Sequence, residues 1–252
     1  MIKFATISTK GGVGKTTLTA DLAGLVADMG LRVLMIDADI QPSLSKYYRL
    51  KHRAPLGLTH VIMKQNVNDD CISRTEIENL DIILSDDSEG ILQPWLMSRV
   101  DGAERLANAL RSPLITDDHY DCIFIDTQGS VGPLQNNAAL ASSQILLPVL
   151  PETLAARELT SGTLDMLERL EPSPSFRNRA GPIRAIIYRQ DRTSDSKLVA
   201  EELKRDFLKL EGRVTLLNTA VPSAKSYKEA ATLGIPVHRH EPHHRTMSSA
   251  YD

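Results

Sequence analysis

Hydrophobic residues fall into short runs separated by amphipathic stretches. Ile2–Ile7, Leu31–Ile36, Asn79–Leu84, Tyr120–Asp126, Gln144–Val149, Ile183–Tyr188 and Val214–Leu217 are predominantly apolar and end at polar residues or turns, the pattern of strands covered on both faces. Between them, Leu18–Met29, Leu56–Met63, Asp101–Leu110, Leu134–Ala141 and Thr153–Leu170 read as helices, the third opened by an acidic cap and the last long and amphipathic. Gly30 supplies a stop for the first helix, and Pro172-Ser173-Pro174-Ser175 a break after the last. A basic helix with Lys204, Arg205 and Lys209 follows Tyr188, and one carrying Lys225 and Lys228 follows the final strand. Strand and helix in alternation predict an α/β fold, a mostly parallel twisted sheet with helices on both faces, in a single domain over residues 1–252.

Composition narrows the class. With 42% apolar and 24% charged residues and no repeats, the chain is globular. The run Ile145–Leu150 is too short to cross a bilayer and is broken by Pro148, and Met1–Gly11 lacks a signal-peptide core, so a cytoplasmic protein is expected. Cys71 and Cys122 are far apart and have no disulfide or metal-ligand spacing, which predicts packed thiols and argues against an iron-sulfur cluster. Trp95 reads as a core residue, since one tryptophan and 4% aromatics offer no platform for stacking bases. Residues 177–245 carry fourteen Lys/Arg against eight Asp/Glu, while the remainder carries fifteen against twenty-four. That asymmetry fits either a face made for a polyanion or ordinary solvated helices. His238, His240, His243 and His244 read as a solvated terminus, because no cysteine or carboxylate pattern completes a metal site.

The candidate chemistry is concentrated where the first strand hands over to the first helix, at Thr9-Lys10-Gly11-Gly12-Val13-Gly14-Lys15-Thr16-Thr17. Glycines let the backbone curl so that successive N–H groups point inward, the helix start adds partial positive charge, Lys15 reaches terminal phosphates and Thr16 is a ligand for Mg²⁺. Asp37 and Asp39 end the second strand and Asp126 ends the apolar run from Tyr120. Carboxylates at the carboxyl ends of buried strands face this same site in open α/β sheets. Asp39 is then a candidate to orient or deprotonate a water, Asp37 to shape the metal shell, and Asp126 to bind magnesium through water or to accept from Thr16.

Lys10-Gly11-Gly12-Val13-Gly14-Lys15-Thr16-Thr17, with Thr9 where the general pattern has glycine, resembles the deviant Walker A loop of the ParA/MinD class. Asp39 and Gln41 match that family's Asp-x-Asp-Pro-Gln segment, with proline at 42 instead of 40. Tyr120–Asp126 is similar to its Walker B strand, with Thr127-Gln128-Gly129 in place of a following proline pair, and Leu147-Pro148-Val149 with Pro151-Glu152 extends the likeness. The resemblance implies a ParA/Soj-type P-loop ATPase using ATP and Mg²⁺, in which Lys10 crosses a dimer interface to the partner's nucleotide. It also implies base contacts at Arg189 and Val221-Pro222, and DNA contacts at Arg192, Lys197, Lys225 and Lys228. The expected cycle joins an ATP-bound homodimer, non-specific duplex DNA on the nucleoid, and slow hydrolysis stimulated by a ParB-like protein. No room before Met1 is expected for a helix-turn-helix. A MinD-like membrane ATPase is one alternative, although Glu241–Asp252 lacks the apolar stripe a membrane-lying helix needs. A ligase resembling dethiobiotin synthetase is another, and it would be indifferent to DNA.

Overall fold

The computed structural model describes residues 1–151, 153–170, 178–208 and 214–242, with 153–161 described by backbone alone. Glu152, the Pro172–Ser175 break, Lys209, His243 and His244 lie outside the described residues.

In chain order the elements are β1 (Ile2–Thr6), α1 (Lys15–Asp28), β2 (Val33–Ala38), β3 (Leu50–His52), α2 (Leu58–Lys64), β4 (Ser73–Thr75), β5 (Leu80–Ile83), α3 (Leu92–Met97) and α4 (Arg105–Ala109). They continue with β6 (Cys122–Thr127), α5 (Pro133–Ala141), β7 (Gln144–Val149), α6 (Thr153–Leu170), β8 (Ile183–Gln190), α7 (Ser194–Leu208), β9 (Val214–Pro222), α8 (Ser226–Leu233) and α9 (Val237–His240). One nine-stranded sheet runs β3-β4-β5-β2-β6-β1-β7-β8-β9. From β5 to β9 along this order all neighbours are parallel, and the antiparallel pairs are β3 with β4 and β4 with β5.

The apolar runs form the inner strands because they are covered on both faces: every residue of β2 and β6 is buried. One cluster, with Ile36, Ile123, Ile125 and Leu147, packs under α2, α4 and α5. A second, with Met35, Phe124 and Ile82, packs under α1. β1 lies between β6 and β7: the chain runs from β1 to β2 on one side and later crosses from β6 past β1 to β7 on the other. The crevice at that reversal is where open α/β sheets take ligands, and the glycine loop follows β1.

Two helix expectations change. Residues 101–104 are a turn instead of the start of a helix. Gly102 lies so close to Leu96 that a Cβ there would be 2.1 Å from its carbonyl oxygen. Asn137 then takes the local backbone groups, donating to Gly102 O at 2.7 Å and accepting from Leu106 N–H at 3.0 Å. His238 and His240 belong to a short helix docked on α1, not to a solvated tail. Asp21 accepts from Val237 N–H at 3.1 Å, Pro236 packs on Gly24, and Asp28 takes Arg239 and His238, each at 2.7 Å. Both cysteines are free and buried, as packed thiols. Trp95 is partly buried against the core, with Arg105 and Arg99 guanidinium carbons 4.8 and 5.5 Å from its ring centre. Among the described residues no helix is long and apolar enough to cross a membrane.

Candidate nucleotide site

The loop after β1 turns twice through left-handed backbone, at Gly12 (φ 76°) and Gly14 (φ 90°), conformations that side chains with a Cβ rarely adopt. Gly14 is the residue capping α1, no side chain caps that end, and no acidic residue occupies its first turn. The first N–H groups of α1 are therefore left for an anion. Lys15 opens the helix with its side chain only 7% exposed, its ammonium donating to Lys10 O at 3.2 Å. Burial pulls its pKa down, while Asp126 and Asp39 hold it up.

Asp126 lies at the end of β6, wholly buried and paired in register with Asp37 of β2 and Thr6 of β1. Neither carboxylate oxygen has a hydrogen-bond partner of regular geometry. Burial raises its pKa to about 7, drawn back in part by the neighbouring Thr16 hydroxyl. A buried carboxylate without a partner is costly, and with a hydroxyl beside it the pair is the oxygen chemistry that magnesium takes alongside phosphate.

Asp37 differs from Asp126 in having its oxygens filled. Ser45 donates both N–H and hydroxyl to Oδ2 at 2.7 Å, and Asp39 N–H reaches Oδ1 at 3.2 Å. Asp37 thus holds the loop after β2. Asp39, half-buried on that loop, accepts from Gln41 N–H at 2.9 Å, so the displaced proline at 42 still permits a local Asp turn.

The loop after β6 lies directly on the phosphate loop. A Cβ on Gly129 would stand 2.8 Å from Gly11 Cα, and Gln135 Nε2 donates to Ser8 O at 3.1 Å and Gln128 O at 3.3 Å. Thr163 of α6 accepts from Thr9 N–H at 3.3 Å.

Arg189, expected near the base, adopts φ 58° and donates to Gly12 O at 3.1 Å. The preceding Tyr188 packs its ring on Gly14. A cavity of about 240 Å³ opens here between Thr17, Tyr188, Arg189, Ser223, Tyr227 and Lys228. Pro222, the other expected base contact, ends β9 one residue before that lining. Lys228 therefore borders the nucleotide loop, while Arg192, Lys197 and Lys225 are exposed at the carboxyl ends of β8 and β9. A larger cavity of about 840 Å³ lies at the opposite end of the strands, by Lys51, Arg74 and Asp81, and holds none of the phosphate-loop residues.

Sequence reading missed Tyr188, Ser45, Ser85, Gln93, Gln135 and Thr163. Each acts through a tertiary contact that leaves no local pattern. Gln128 stands out in the sequence as a departure from the family's proline pair and, with Gly129, as a candidate switch loop for the γ-phosphate.

Fold and loop together define a P-loop nucleoside triphosphatase of the deviant Walker A kind. Residues 1–171 match the family described as AAA domain, and the chain belongs to that family, among its ParA/Soj-type partition ATPases. It is 29% identical to the sporulation initiation inhibitor protein Soj of Bacillus subtilis, covering 94% of this chain and 90% of that protein. Identity to the chromosome-partitioning ATPase Soj of Thermus thermophilus is also 29%, over 95% and 88% of the two. Among solved structures, the ATP complex of a Cyanothece McdA variant superposes with a TM-score of 0.78 at 25% identity, covering 95% and 90% of the two chains.

Proposed function

We propose that this chain is an ATP-dependent partition ATPase whose triphosphate joins two copies and whose basic corner retains DNA. The observation that carries this reading is Asp126, a buried carboxylate with no regular partner, facing the uncapped start of α1 beside Thr16 and Lys15. Gly11, Gly12, Val13, Gly14 and Thr17 cradle the phosphates by main chain and helix start, with Lys15 neutralising them. Thr16 and Asp126 hold Mg²⁺, which supplies charge neutralisation across the phosphates. Asp37 fixes the loop that carries Asp39, and Asp39 orients the attacking water. The base sits by Arg189 and Pro222, and Lys10 reaches the partner's nucleotide.

Arg192, Lys197, Lys225 and Lys228 contact duplex phosphates without reading sequence, so binding weakens steeply with salt. A ParB-like protein stimulates hydrolysis and returns the chain to monomers. In the cell this keeps the ATP form on the nucleoid. Relatives described as Soj and chromosome partitioning proteins support the reading.

The deciding measurement is electrophoretic retention of an arbitrary duplex with ATP, ADP or no nucleotide across a salt series. Retention with ATP alone, lost as salt rises, is expected. Nucleotide-independent retention, or none, overturns it, and ATP-dependent liposome sedimentation without DNA retention would favour the membrane-cycling alternative.

A further inference from the structure

The segment after β5 belongs to none of the phosphate motifs, yet it touches both loops that approach the phosphates. Ser85, 7% exposed, donates its hydroxyl to Asp39 O at 2.5 Å. Its N–H donates to Ser45 Oγ at 2.9 Å, the hydroxyl that itself donates to Asp37. Eight residues on, Gln93 and Gln128 face each other as an amide pair, with Gln93 Nε2 to Gln128 Oε1 at 3.2 Å and the reverse bond at 3.4 Å.

Gly132 closes over that pair. A Cβ there would stand 2.6 Å from Gln128 Nε2 and 2.7 Å from Gln93 Oε1. The span between these contacts is anchored at both ends. Asp86 accepts from Thr59 N–H at 2.8 Å, and buried Asp87 accepts from Ile91 and Leu92 N–H at 2.9 and 3.0 Å, fixing the start of α3.

We infer that Ser85–Gln93 is a strap that holds the Asp39 loop and the Gln128 loop in one register, with Ser85 and Gln93 as positioning residues for hydrolysis. The strap rests on the reading above that Asp39 acts on a phosphate-bound water. Its logic is mechanical: a hydroxyl bond fixes the main chain at Asp39, an amide pair fixes the side chain beside Gly129, and a nine-residue span anchored at Asp86, Asp87 and the start of α3 joins the two. Neither Ser85 nor Gln93 is assigned contact with nucleotide, so the strap acts on turnover and leaves binding alone.

The test is hydrogen exchange by mass spectrometry on wild type, Gln93→Met and Ser85→Ala, paired with ATP titration and steady-state hydrolysis. Among the described residues the Gln93 side chain bonds to Gln128, so the decisive readout is at the other loop. Gln93→Met is expected to speed amide exchange at least fivefold in peptides covering both 127–133 and 37–45. The same variant should lower kcat at least fivefold, with KM and nucleotide affinity within twofold of wild type. Exchange changes confined to 127–133, or absent, overturn the strap, as does kcat within twofold. If wild type hydrolyses no ATP, the partition reading fails, and the exchange pattern alone then decides the strap. Should Gln93→Met not fold, Gln93→Glu keeps an acceptor for Gln128 Nε2 and loses the donor, and the same two-loop pattern is expected at smaller amplitude.

Discussion

The ring of Tyr188 rests on Gly14 so closely that a Cβ at position 14 would stand 2.2 Å from Cε1. Two constraints therefore coincide at one residue, the left-handed φ of 90° and the aromatic lid. Gly14→Ala is expected to cost about 1–3 kcal/mol in backbone strain alone and to weaken ATP at least tenfold. Calorimetric melting and fluorescent-nucleotide titration read the two effects. Tyr188→Ala in the same chain should recover part of the stability, and affinity unchanged in Gly14→Ala would remove this turn from the site.

Lys15 is held almost out of solvent with its ammonium on Lys10 O, a carbonyl that the proposed site has it exchange for phosphate. Charge-assisted bonds of this kind contribute roughly 1.5–3 kcal/mol. Lys15→Ala should thus bind ATP roughly 10- to 150-fold more weakly by titration, and equal affinity would contradict its role.

In the proposed cycle, Lys10 and Asp39 separate assembly from turnover. Lys10→Ala is expected to keep ATP binding but to stay monomeric by light scattering in ATP and magnesium. Asp39→Ala is expected to form dimers that remain on DNA because hydrolysis falls at least tenfold, measured by phosphate release. Normal dimers in the first variant, or undiminished release in the second, would reassign these residues.

Asp21 gives the chain a pH dependence. Burial raises its pKa to about 7, against the single N–H of Val237, and its Oδ2 has no partner among the described residues. The folded chain then keeps a proton that the unfolded chain loses at roughly pH 4, so stability falls as pH rises toward 7. Asp21→Asn should flatten that slope and melt higher above pH 7 by a few degrees. An Asp21→Asn melting profile with the same pH slope as wild type across this window would show Asp21 to be charged when folded.

The inner strands were legible because they are apolar throughout: Gln144–Val149 matches its predicted bounds, and Cys122–Thr127 lies within two residues of its own. The glycine loop was legible because its chemistry lies in consecutive residues. By contrast, Leu50–His52 and Ser73–Thr75 are three-residue strands at one margin of the sheet, too short for any period to show. The helix over Leu92–Met97 was equally hidden, since its start is fixed by Asp87 from outside the helix. Asp37 carried the right residue type at the right strand end, yet Ser45, eight positions on, donates twice to its Oδ2. Only the folded path of the intervening loop brings those two together.

Because Gly129 abuts Gly11 with bare backbone on each side, nothing compressible separates the polyanion cradle from the segment leading into Pro133. Swelling of the cradle on filling would be relayed as displacement instead of being absorbed by a bending side chain, and any side chain at position 129 would force the two backbones apart.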